Sequence, residues 1–126
     1  MSIIYEKHDL YPESILIRKF SGKVSIQNII DSWEYLHENE IIDKKIKGVI
    51  NNLSGCELIM DIESFKTLID YLKKQDYIKD IKLAVISDTP KTIIFPILGK
   101  EQERELKIKP FSTMEAAVNW ISMDLL

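Results

Sequence analysis

The side chains able to do chemistry are few and scattered. The two histidines stand far apart, His8 in an opening strand and His37 near the end of a helix; no serine lies in a G-x-S-x-G setting and no H-x-x-x-H pair occurs. Neither a nucleophilic triad nor a helical zinc pair is therefore spelled out. The single cysteine, Cys56, follows Gly55 and precedes Glu57, with no cation beside it to lower its pKa, and reads as a small packing side chain. One cysteine also excludes an internal disulfide and a multi-cysteine metal site. Gly22-Lys23 and Gly99-Lys100 lack the G-x-x-x-x-G-K-[ST] frame of a phosphate loop. Asp61 and Glu63 form a carboxylate pair whose position is that of a helix start. No catalytic residue, metal or cofactor is implied, and the chain reads as non-enzymatic. The competing class is an enzyme built on an unrecognised constellation, which a deep pocket holding a charge-perturbed residue would reveal.

What remains is a set of amide and hydroxyl groups at two places. "VINNLSGCELIMD" begins as an apolar strand, turns polar at Asn51, Asn52, Ser54 and Gly55, and stops at Asp61, a residue suited to cap a helix. Ser87, Asp88 and Thr89 follow a second apolar run. In open α/β sheets ligands sit outside the carboxyl ends of the strands, and both segments lead into helices whose first N–H groups favour an anion or a polar partner. The same residue types are the ordinary material of turns and caps, so each position has a purely structural reading as well.

The elements that would position these groups follow from periodicity. Residues 2–8 and 15–20 read as an opening strand pair around a turn with Asp9, Pro12 and Ser14. Ser25 caps a first helix with the stripe Ile26, Ile29, Ile30, Trp33 and His37. Residues 46–53 form a third strand, and Asp61 opens a second helix with the stripe Ile62, Phe65, Leu68, Ile69 and Leu72. "IKLAVIS", over 81–87, is apolar on consecutive positions, as a central strand covered on both faces must be. Thr89-Pro90 starts a third helix, shortened by Pro96. Residues 105–111 alternate as a strand near the sheet edge, and the S-x-x-E box Ser112 to Glu115 opens a last helix with the stripe Met114, Ala117, Val118 and Ile121. The order is ββαβαβαβα: a single α/β domain over 1–126, with a mostly parallel sheet, flanking helices and right-handed crossovers.

At 126 residues with 45% hydrophobic and 29% charged residues, the chain can bury one core unaided. A net charge of −3 gives no positive field for a phosphate backbone, and the lysine clusters are interleaved with acids, so nucleic acid is not an expected partner. No apolar run approaches the length of a membrane span, and no leading signal segment is seen; the expected location is cytoplasmic. The run Ile93-Ile94-Phe95-Pro96-Ile97-Leu98 holds more large apolar side chains than one helix face can bury. Ile94 and Phe95 are accordingly expected at a homodimer interface, in a fully packed crossover, or in the wall of a pocket for an apolar ligand.

The opening hairpin ending at Ser21-Gly22, the strand "KGVINNLSG" with its helix, "IKLAVISDTP", and the ending "IKPFSTMEAAVNWI" together resemble the SpoIIAA-like branch of the STAS superfamily, the small α/β domains related to bacterial anti-sigma-factor antagonists. The resemblance spans nearly the whole chain. It implies a regulatory domain that binds a protein partner or a small ligand through the carboxyl-end loops. Family members carry Asp-Ser-Ser-Gly at the second helix, where one serine is phosphorylated. Here the matching stretch is Asp61-Ile62-Glu63-Ser64, so the resemblance implies a domain without that switch, Ser64 lying one place beyond. Lipid-binding domains related in fold imply a small apolar ligand as the alternative.

Overall fold

The computed structural model describes residues 1–88, 106–123 and 125. The expected helix after residue 89, with Thr89, Ile94 and Phe95, lies outside the described residues.

Strand β1 (Ser2–Lys7) runs antiparallel to β2 (Ile15–Ser25), which leads directly into helix α1 (Ile26–Glu38). β3 (Gly48–Asn52), β4 (Cys56–Ile59), α2 (Ile62–Lys73), β5 (Lys82–Ile86), β6 (Lys107–Phe111) and α3 (Met114–Ser122) follow. The sheet order is β1-β2-β3-β5-β6, every pairing after the first being parallel, and β4 adds to β2. The single α/β domain with a mostly parallel sheet and flanking helices is thus the architecture expected from the sequence.

Alternation along the strands sends side chains to two cores. Leu16, Phe20 and Val24 of β2, Val49 of β3, Leu83 of β5 and Ile108 of β6 pack with Trp33, Leu36, Phe65 and Leu72 of α1 and α2. Ile15, Ile17, Ile50, Ala84 and Ile86 face the other way, onto Ala117 and Ile121 of α3. β5 therefore lies inside the sheet between two helical layers, which is why its apolar residues are consecutive.

Four details differ from the sequence expectation. The stretch read as a loop over 51–60 contains β4: Cys56, Leu58 and Met60 are half-buried and Glu57 and Ile59 exposed, a two-residue alternation that the polar "NNLSG" interrupts. β2 runs on to Ser25 instead of ending at Phe20. In α1 the buried residues include Ser32 and Leu36, while His37 is exposed; in α2, Ile62 is exposed. α3 starts one residue later than the expected box: Thr113, not Ser112, is the cap, accepting from the Ala116 N–H at 3.1 Å.

β4 continues the line of β3 along β2 with an offset. Lys19 pairs with Asn52 and Gly22 with Cys56, so two residues of β2, Phe20 and Ser21, oppose three, Leu53, Ser54 and Gly55. This is a bulge, and beside it in β2 stands Gly22, whose φ of 78° lies in the left-handed region.

Candidate functional site

A buried arginine stands at the centre of the inner layer. β2 alternation points Arg18 between Leu16 and Phe20 toward α1, and the residue is 1% exposed. Its Nε–H donates to Asn51 Oδ1 at 2.8 Å, one terminal nitrogen donates to the same oxygen, and the other donates to Ser32 Oγ at 2.9 Å. Asn51 in turn donates from Nδ2 to the Ala84 carbonyl at 3.0 Å, and the Tyr5 hydroxyl meets Ser32 Oγ at 2.9 Å. One polar network thus ties β1, β2, β3, β5 and α1. The guanidinium carbon lies 4.2 Å from the centre of the Trp33 ring and 5.1 Å from that of Phe20, within cation–π range. Burial lowers its pKa from the usual guanidinium range to about 9, Tyr5 and Tyr77 pulling the other way, so it is a cation at neutral pH.

Arg18 and Asn51 border a cavity of about 50 Å³ whose other walls are apolar or aromatic, among them Ile29, Leu58, Phe65 and Val85. Arg18 is the one titratable group in that lining. An arginine can hold an anion or stabilise charge, but it is no general base and no nucleophile, so this arrangement suits binding rather than bond-making.

The polar stretch after β3 is differently used than a convergent loop would be. Asn51 and Asn52 belong to β3 itself, and Asn51 is the core latch described above. Asn52 Oδ1 accepts from the Ser54 N–H at 3.1 Å and from the Ser54 hydroxyl at 2.6 Å, an Asx turn that closes the bulge with Gly55. Cys56 donates its thiol to the Leu53 carbonyl at 3.3 Å; burial, and after it Asp88, raise its pKa, consistent with an unreactive thiol. Ser87 is buried at the end of β5 and Asp88 is exposed.

At the start of α2, Asp61 accepts the Ser64 N–H at 2.7 Å while Ser64 Oγ accepts the Asp61 N–H at 3.0 Å, a reciprocal capping box. Donation from Ser64 lowers the Asp61 pKa. The equivalent box at α1 joins Ser25 and Asn28. Between these two helix starts runs an open groove of about 510 Å³ bordered by Ile30, Ile59, Met60, Asp61, Ser64 and Thr67 among others. Ile59 and Ile62, at 55% and 52% exposure, stand at this end of the molecule.

The histidines serve structure. His8 Nδ1 accepts two N–H groups of its own turn, from Leu10 and Tyr11, and His37 stacks on Tyr77 with centroids 4.3 Å apart. No group of three or more potential metal ligands occurs among the described residues. No helix among them is long and apolar enough to cross a membrane.

The structure therefore brings Asp61 and Ser64 together, and separately Asn52, Ser54 and Gly55, but places Asn51 in the core. Arg18 is the site residue that sequence reasoning missed. Its signal was present: in "ILIRKF" it falls on the same alternate face as Leu16 and Phe20, a charge on the buried side of a strand.

No family model and no curated protein matches the sequence. Solved structures do match in shape. An anti-sigma factor antagonist from Mycobacterium paratuberculosis superposes with a TM-score of 0.59 at 16% identity, covering 95% of this chain and 92% of the other. A protein with a SpoIIAA-like fold from Shewanella loihica gives a TM-score of 0.57 at 15% identity over 95% and 92% of the two chains. The anti-sigma factor antagonist SpoIIAA in its unphosphorylated form gives 0.57 at 8% identity over 95% and 97%. Matched over 95% of its length by each of these structures, the chain has a SpoIIAA-like fold.

Proposed function

We propose that this protein is a non-enzymatic regulatory domain that binds a protein partner over the groove between the starts of α1 and α2. The observation that carries the reading is Ile59, a large apolar side chain more than half exposed in the wall of that groove, together with Ile62, equally exposed at the first position of α2 next to the groove residue Asp61. Apolar groups left in water at one place on a domain mark a surface that is covered by something else. The likeness in fold to two anti-sigma factor antagonists supports a protein as the covering partner.

The reading includes the absence of a phosphoserine switch at α2. Ile62 and Glu63 cannot take a phosphate on a hydroxyl, and Ser64 is committed to the capping box with Asp61. Glu63 supplies a constant negative charge in the first helical turn, where a phosphate would supply a conditional one.

Quantitative affinity capture from the native host, comparing the wild-type chain with I59K/I62K, tests the surface. Both positions are exposed, so the double variant stays folded and loses a specific partner. A partner retained equally by both chains, or stoichiometric phosphate on Ser64 in the isolated protein, overturns the corresponding half of the reading.

A further inference from the structure

Arg18 poses a charge problem that its described surroundings leave open. The side chain is 1% exposed and bears a full positive charge at neutral pH, yet its described hydrogen-bond acceptors, Asn51 Oδ1 and Ser32 Oγ, are neutral, as are the Trp33 and Phe20 rings. Removing a cation from water without an anionic partner is costly, and neutral acceptors and π faces offset only part of that cost. The donors are also incompletely used. A guanidinium has five N–H groups. Three are engaged, and one on each terminal nitrogen has no acceptor among the described residues. Two N–H donors on adjacent nitrogens match the two oxygens of a carboxylate.

The space beside the guanidinium fits such a guest. The cavity of about 50 Å³ admits on the order of four water-sized groups. Its walls are otherwise apolar apart from Asn51, so a phosphate or sulfate, which needs further donors for its remaining oxygens, is poorly served there. Water satisfies donors but does not neutralise the charge. A short alkyl chain ending in a carboxylate satisfies both the two donors and the apolar wall.

We propose that this cavity is a binding site for a short-chain monocarboxylate, with its carboxylate on the Arg18 guanidinium and its alkyl group among Ile29, Leu58, Phe65 and Val85. The cavity shares Ile26 and Met60 with the groove at the helix starts, but Arg18 and Asn51 line the cavity alone, and its occupancy does not depend on the partner-binding reading. Leu58 belongs to β4 and Phe65 to α2, so a guest would touch the elements that carry Ile59 and Ile62 from their inner side.

Propionate is the probe, titrated into the full ¹⁵N-labelled chain with sodium chloride and propionamide as controls for ionic strength and for the uncharged isostere. The chain has two arginines, Arg18 and Arg104, so the Arg18 Nε–H resonance is readily assigned with R104K. The expected result is a saturable shift of the Arg18 Nε–H and Trp33 indole N–H signals with propionate and with neither control. V85F, which fills the cavity and leaves the guanidinium in place, is expected to weaken the response at least ten-fold, and R18M to abolish it. Absence of a saturable shift in the wild-type chain overturns the proposal, as does an equal response to chloride or propionamide, or a V85F variant that binds like wild type. The wild-type and V85F titrations decide the matter even if R18M does not fold.

Discussion

Gly48 shows how one missing side chain sets the distance between layers. It opens β3 on the α3 face, and a Cβ placed there would lie 2.5 Å from Ile121 Cγ2 and 2.6 Å from Ile121 Cδ1. Ile121 is fully buried and β-branched, so it cannot swing away without disturbing the Ala117 side of the same helix. G48A is therefore expected to destabilise the fold by about 1 to 3 kcal/mol in urea unfolding, a cost of overpacking. The cause is checked by a double-mutant cycle with I121A: the two costs are expected to be less than additive, because truncation removes the atoms that the new methyl meets. Full additivity would mean that Gly48 is needed for backbone freedom instead. Arg18 illustrates the opposite case at the same scale, a large group accommodated in the core through side-chain partners on three elements, β3, α1 and β1, two of them through the shared Ser32 hydroxyl.

Among the elements, α2 depends most visibly on its first turn. Asp61 accepts the Ser64 N–H as a carboxylate, and this lowers its pKa from the usual 3.8. Since the folded-state value is depressed, the contribution is present above the unfolded value of about 3.8 and is lost as pH falls through the folded one. Urea midpoints of wild type and D61N, followed from neutral pH to below that value, are expected to converge or cross, asparagine keeping a neutral cap throughout. A constant difference across the range would show that the carboxylate charge plays no part. Such caps were legible in the sequence: Ser25 and Asp61 stand immediately before apolar stripes of helical period. The buried strand over 81–87 was legible for a like reason, its consecutive apolar residues leaving no solvent face. β4 was not, because four residues are too few for alternation to stand out and the preceding Asn52, Ser54 and Gly55 are turn-forming types. The cap of α3 was misplaced by one residue because Ser112 and Thr113 are equally suited to the task, and which one turns into the helix is decided by how Ala117 and Ile121 meet the sheet. Nor could periodicity reveal the Arg18 network, since it depends on groups brought from 14 and 33 residues away in sequence.

For the molecule as a whole, the offset between β3 and β4 against β2 matters beyond its local geometry. The inward residues of β3 are odd-numbered, Val49 and Asn51, with Leu53 just after it; those of β4 are even-numbered, Cys56 and Leu58, with Met60 just after it. One extra residue in the bulge accounts for the change. Take Ser54 out, and Leu53, Cys56, Leu58 and Met60 follow one another at strict two-residue spacing on the same face, in line with Phe20, Gly22 and Val24 across the way. A chain lacking Ser54 is thus expected to fold with every inward side chain retained, losing the two bonds to Asn52 and little else. Removing Ile50 instead carries Asn51 to the α3 side, takes from Arg18 the amide oxygen that accepts two of its three bonds, and is expected to lower the urea midpoint far more. If the two deletions proved equally harmful, the bulge would be an obligatory part of the fold. If they differ as expected, this one position is a tolerance point for insertions and deletions, where lineages of the fold can drift in length while their cores stay in frame.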